Sequence, residues 1–358
     1  MNIYRTEFIH NTTLNPLYFN FQTNLQAFQK LGKKISYSLK HGYFDKVIKQ
    51  QSVENKWFTE INCRFALEAI AKMVDAKSCD EFYIRYKHYF QEERKSKKIA
   101  VISAGNIPCA AFHDFFCVIA SGNQYVGKLS KQDALLLPVI AKMLIIIAPE
   151  LSEKIVFVDK LNKFDKIIAT GSNNSTRYFE YYFKDYPKLL RKNRNSIAIL
   201  TGRESEADLQ KLSSDIFLYF GLGCRSVSKI YVPKDYNFNL LVQILHKESK
   251  SLMLHTGYAN NYDYHRAIYA LNKKDFFDGN SFLLIQNSSV ASPISVIYYE
   301  VYENIYEIST QIQLHEDDIQ CLVSGDFIEQ HPIFFGETQR PSLFDYPDKK
   351  DILLFCIS

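Results

Sequence analysis

Between residues 98 and 200 short apolar runs alternate with helical ones, and this alternation restricts the fold more than any other feature of the chain. KKIAVISA (97–104) reads as a buried strand, 107–121 as a helix closed by Gly122, and 125–129 as the next strand. A helix over about 133–148, strands at 154–158 and 166–170, a helix over 173–184 and a strand at 196–200 complete the series. Short apolar strands separated by helices predict an α/β architecture, an open parallel sheet covered on both faces. Such sheets commonly hold nucleotides at their strand ends. The glycine fingerprint GxGxxG follows none of these strands, and GLGCRS (221–226) imitates it after a helix and before a strand, which is the wrong context.

The flanks differ. Residues 1–95 read as mainly helical, with apolar positions at helical spacing over 57–74 and an amphipathic, tyrosine-rich helix over 80–94. The charged run 92–98 marks an edge. After residue 200 a second α/β unit begins. Ser205 and Asp208 form a Ser-x-x-Asp capping signal for a helix, and strands at 228–232, 281–286 and 294–299 alternate with helical stretches near 236–248 and 300–313. The end of the chain, DILLFCI, is expected to be an apolar strand, which has to pair with its own sheet or with a second copy.

Composition narrows the function classes. A chain of 358 residues with 47% apolar and 23% charged residues has the make-up of an ordinary soluble protein. A formal charge of +4 gives no reason to expect a nucleic-acid partner. The most membrane-like run, 135–151, is broken by Pro138 and Lys142 and reads as a buried helix, so no integral membrane segment is expected. The seven cysteines show neither CxxC nor Cys/His ligand spacing. No metal site is expected, and a cytoplasmic location is.

Residues 215–233, DIFLYFGLGCRSVSKIYVP, place one of those cysteines, Cys224, behind Gly221 and Gly223 and ahead of an alternating strand. Glycines beside a thiol relieve crowding, so a substrate carbonyl can approach closely. Cys224 is therefore a candidate nucleophile. Upstream, GNIP (105–108), GKLS (127–130) and TGS (170–172) each sit at a strand end ahead of a helix, where ligands bind in open α/β sheets and free backbone N–H groups hold anions.

Together the segments SAGNIP, SGNQYVGKLSKQD, ATGSNNSTRYF, RKNRNSIAIL, GLGCRSVSKIYVP and FGETQRPSLFDYPD resemble the aldehyde dehydrogenase superfamily. Within it they are similar to the acyl-CoA reductase branch that includes the fatty acyl reductases of bacterial luciferase operons. The resemblance implies an aldehyde-dehydrogenase-like α/β fold: a helical N-terminal region (1–95), a nucleotide-binding domain (96–200), a second α/β catalytic domain (201–330) and a tail (331–358) for assembly into a homo-oligomer. It makes Cys224 the nucleophile and Asn106 the side-chain donor to the oxyanion. Lys128, Ser130, Lys131, Gly171 and Ser172 fall to the cofactor. Some lowering of the Cys224 pKa is expected.

Two departures refine the expected activity. Oxidising members carry a water-activating glutamate in the segment matching LRKNR (190–194), which holds no acid here. That favours reduction of a thioester to an aldehyde over release of a carboxylic acid. Where NAD-using members often place a glutamate, this chain has Lys131, whose charge suits the 2′-phosphate of NADPH. The expected substrate is a fatty acyl-CoA or acyl-carrier-protein thioester, with an acyl-protein synthetase as partner. The alternatives are an NAD(P)-dependent aldehyde oxidiser and a non-catalytic subunit that binds an acyl carrier or a synthetase. His113 and His255 are weak candidates as proton carriers.

Overall fold

The tyrosine- and phenylalanine-rich N-terminal region forms four helices, α1 (Phe21–Lys40), α2 (Asp45–Glu54), α3 (Glu60–Met73) and α4 (Ala76–Tyr86). The structure is a computed structural model that describes residues 21–92, 94–325 and 332–358; the first twenty residues of the expected helical region lie outside them. Thr59 and Asp75 cap α3 and α4 by accepting bonds from Asn62 N and Ser78 N. Phe28 of α1 lies edge-on to Phe112, Phe115 and Phe116. The helical layer therefore shares one apolar core with the sheet that follows.

That sheet comprises β1 (Lys98–Ile102), β2 (Gln124–Lys128), β3 (Ile155–Phe157), β4 (Lys166–Thr170) and β5 (Lys188–Arg191), in the order β3-β2-β1-β4-β5 and parallel throughout. Its crossovers are α5 (Phe112–Ala120), α6 (Leu136–Ile147) and α7 (Asn173–Tyr182). Ile99, Val101 and Ile168 pack into the core shared with α1, α5 and α6, whereas Ala100, Ile167 and Ala169 face Phe179 of α7. The chain thus winds one way from β1 to β3 and the other way from β4 to β5, and the switch point lies between β1 and β4.

The second sheet contains β6 (Asn195–Ile199), β7 (Val227–Pro233), β8 (Phe277–Asp278), β9 (Leu283–Gln286), β10 (Val296–Tyr302) and β11 (Ile319–Ser324), ordered β11-β6-β7-β10-β9-β8. Only the β8–β9 pair is antiparallel among the described strands. The helices α8 (Glu206–Phe217), α9 (Phe238–Ser249), α10 (Thr256–Leu271) and α11 (Ile305–Leu314) flank it. The expected Ser205–Asp208 signal is a complete capping box at the start of α8.

Two expectations are corrected. The strand at 196–200, assigned to the first domain by the boundary at residue 200, is β6 and lies between β11 and β7 in the second sheet. The closing DILLFCI is a helix, α12 (Ile352–Ile357), not a strand. Asp351 caps it by accepting a bond from Leu354 N, and Ile352, Leu353 and Cys356 are wholly buried in the core beside α5. The tail's apolar face is thus covered within the chain, and the unpaired strand on which the expected assembly rested is absent from the described residues. No helix among the described residues is long and apolar enough to cross a membrane.

Candidate active site

The site follows from a chain reversal. β5 ends at Arg191 and β6 starts at Asn195, so only Lys192, Asn193 and Arg194 join the two sheets. A link this short sets the C-terminal edge of the first sheet, where ligands of α/β folds bind, against the N-terminal edge of the second. Cys224 lies at that second edge, three residues ahead of Val227 in β7.

Register brings the upstream motifs together. Ile102 of β1 pairs with Lys128 of β2 and with Ala169 of β4, so the GNIP, GKLS and TGS junctions emerge side by side around the switch point. A Cβ on Gly105 would lie 2.2 Å from Ser130 Oγ, and only a glycine permits that approach. Ser130 also accepts a bond from Gln132 N at 3.3 Å, and Lys128 and Lys131 are exposed. On Gly171 a Cβ would fall 2.8 Å from Ser175 Cβ. Ser172, the N-cap of α7, accepts a bond from Ser175 N at 3.2 Å. This cradle suits a dinucleotide, with phosphate at the α7 N-terminus and the lysines at the rim.

Asn106 crosses to the second sheet. Its Nδ2 donates to the Leu222 carbonyl at 2.6 Å, two residues ahead of Cys224, and Ile107 packs against Gly223. One amide hydrogen is engaged in this bond, and the amide carries a second. From the other side Ser196 Oγ donates to the Cys224 carbonyl at 3.1 Å. Ahead of the nucleophile, Tyr219, Phe220 and Gly221 all adopt left-handed backbone, with φ of 55°, 58° and 74°. Two non-glycine residues in that region cost about 1–3 kcal/mol each and persist only where packing over-determines them. The packing comes from the helical layer, where Phe65 meets Tyr219 and Trp57 meets Phe220, and from His255 at the start of α10, which also meets Phe220.

The electrostatics differ from expectation. Cys224 is partly exposed, yet burial of the thiol, followed by the neighbouring Cys321, pushes its pKa up to about 11 rather than down. Arg225 and Arg191 oppose that rise and Asp348 adds to it. At neutral pH about one thiol in ten thousand is ionised. Alkylation of Cys224 by iodoacetamide, followed by peptide mass spectrometry, is therefore expected to climb about tenfold per pH unit between pH 7 and 10. A plateau near pH 8 would contradict the buried environment.

LRKNR holds no free acid beside the thiol. Arg191 instead makes a bidentate pair with Asp114 at 2.7 and 2.8 Å, both side chains nearly fully buried. The carboxylate that acts on Cys224 is Asp348, paired with Arg194 Nε at 3.0 Å. His113 bonds the Leu343 carbonyl, and burial lowers its pKa. His255 caps α10. Neither histidine reaches the thiol through any contact of the structure. Sequence reasoning does not single out Arg191, Arg225, Asp348 and Gln339: Arg225 adjoins Cys224 but carries no signal of its own, and Arg191, Asp348 and Gln339 come from distant segments. The quoted match FGETQRPSLFDYPD was the available signal for the last two.

The expected α/β fold class, an open parallel sheet followed by a second α/β unit, is borne out. No protein-family model and no curated protein sequence matches the chain. Solved structures do. A provisionally assigned aldehyde dehydrogenase from Burkholderia cenocepacia superposes with a TM-score of 0.63 at 13% identity, over 87% of this chain and 76% of that one. The NAD⁺ complex of an aldehyde dehydrogenase from Bacillus cereus gives 0.61 at 12% identity, over 87% and 73%. An aldehyde dehydrogenase from Physcomitrella patens bound to its reaction product succinate gives 0.60 at 13%, over 86% and 74%.

Proposed function

We propose that this protein is an NADPH-dependent acyl-thioester reductase that forms an aldehyde from an acyl-CoA or acyl-carrier-protein substrate through an acyl-enzyme on Cys224. The observation that carries the proposal is the 2.6 Å bond from Asn106, just beyond the end of β1, to the Leu222 carbonyl in the loop ahead of Cys224. It supports the reading because it ties a strand-end junction of the first sheet to the turn that carries the candidate nucleophile.

The Cys224 thiolate attacks the thioester carbonyl, and the carbon–sulfur bond to the carrier breaks with loss of the carrier thiolate. The Cys224 N–H and the second Asn106 amide hydrogen supply the oxyanion donors; losing one donor of this kind costs about 10²–10³ in rate. NADPH, when bound, supplies the hydride that reduces the acyl carbon. Lys128, Ser130, Gly171 and Ser172 orient that cofactor, and Lys131 favours its 2′-phosphate. The hemithioacetal on Cys224 then collapses, the aldehyde leaves and the thiol is restored. Arg191 and Arg225 stabilise the thiolate.

Asp348 favours a second reading, an aldehyde oxidiser in which this carboxylate activates water. Its pairing with Arg194 argues against that role. The test mixes the protein with a panel of acyl-CoAs without cofactor and maps the acylated residue by mass spectrometry, then adds NADPH or NADH and measures aldehyde. Acyl label on Cys224, with faster aldehyde release from NADPH, is expected. Acid formed from aldehyde and NAD(P)⁺ without any thiol would support the oxidiser. Absence of label on every cysteine rejects acyl transfer and leaves a non-catalytic carrier- or synthetase-binding subunit.

A further inference from the structure

Residues 336–340, GETQR, return from the tail to the nucleophile. Asp215 of α8 anchors them, accepting bonds from Gly336 N at 2.6 Å, Thr338 N at 3.1 Å and Thr338 Oγ1 at 2.7 Å. Arg225, next to Cys224, donates to the Thr338 carbonyl. Held on both sides, Gln339 is 7% exposed, and its Nε2 donates to Ser226 Oγ at 3.2 Å. Its Oε1 lies 3.6 Å from the place a Cβ would take on Gly223.

Gly223 and Ser226 are the two ends of a tight turn, closed by the bond from Ser226 N to the Gly223 carbonyl at 2.9 Å. The two residues between them are Cys224 and Arg225. Gln339 therefore bonds one foot of the turn whose crest carries the thiol and lies, together with Ile107, beside the other, where a Cβ of Gly223 would sit. We propose that Gln339 is a positioning residue, fixing through Ser226 and Gly223 the direction in which Cys224 is presented to the crevice. The inference rests on the reading of Cys224 as the nucleophile. A neutral amide suits the place, since it both donates to Ser226 and sets no negative charge beside a thiol that must ionise.

Releasing the turn has opposite effects on two reactions of one sulfur. A loosened thiol meets water and small reagents more readily, but misses the orientation that acyl transfer needs. In Gln339→Leu, alkylation of Cys224 by iodoacetamide at pH 8 is expected to rise about tenfold, while the kcat for acylation by a saturating acyl-CoA falls about tenfold with KM retained. Ser226→Ala removes the same bond from its other end and serves if Gln339→Leu does not fold. It is expected to reproduce both changes, and the double variant to add nothing further. An alkylation rate within twofold of wild type in a folded Gln339→Leu protein, or effects of the two substitutions that add, overturns the proposal. Wild-type protein that takes acyl label on no cysteine defeats the reductase reading alone, because the alkylation rates still decide the role of Gln339.

Discussion

Cys224→Ala is expected to lower aldehyde formation from an acyl-CoA and NADPH by about 10⁴–10⁶-fold, the loss typical of removing a covalent nucleophile. No other thiol is placed to substitute. Cys63 and Cys79 are wholly buried, and burial lifts both thiols to about 12. Cys109, Cys117 and Cys356 are shifted upward by the same cause, and Cys321 is buried on β11. Removing a sulfur from a partly exposed turn should cost stability no more than about 1 kcal/mol. The melting temperature is thus expected to stay close to wild type while acyl label and aldehyde disappear together. Aldehyde formation surviving in the folded variant would move the chemistry away from the β7 turn.

Arg191→Met is expected to destabilise the fold by about 3–5 kcal/mol, because it strands the Asp114 carboxylate in the core without its bidentate partner. The double variant Asp114→Leu/Arg191→Met removes both charges and should recover most of that loss, since an apolar pair of similar volume often equals or exceeds a buried ion pair. Denaturant unfolding of the single and double variants measures both effects. The double variant also isolates the second role of Arg191. The guanidinium lowers the Cys224 pKa, so its loss raises that pKa and should slow alkylation at any pH below about 11. Equal stability of the single and double variants would show that Asp114 has another partner.

How far the chain could be read before folding differed from segment to segment. The strands 166–170 and 196–200 and the capping box at Ser205 were legible because apolar runs and caps are local signals. β5, a four-residue edge strand, was missed between α7 and β6, as was β11, whose alternation is weak. The helix α10 went unseen because its interior, TGYANNYDYHRAIYAL, carries little apolar periodicity. It is helical through the His255 cap and the burial of Tyr258 and Tyr262. The tail was read as a strand because a short apolar run suits either structure. Asp351 and the pocket beside α5 decided for helix.

The site divides in the same way. The candidates Cys224, Asn106, Lys128, Ser130, Lys131, Gly171 and Ser172 could be named because they sit in or beside glycine-containing junctions, which are local features. The thiol environment could not, since it is made by Arg191 from β5, Cys321 from β11 and Asp348 from the tail. Here the expected lowering of the pKa gave way to a rise, because desolvation by the surrounding chain outweighs the two arginines.

By itself the sequence determined the α/β alternation, the order of the junctions and the identity of the candidate nucleophile, all properties of neighbouring residues. Only the tertiary structure decided which sheet β6 joins, how the tail returns to the cysteine turn through Gln339, and in which direction the thiol titrates. Those depend on burial and on charges brought close by segments far apart in the chain, and one-dimensional periodicity carries no information about either.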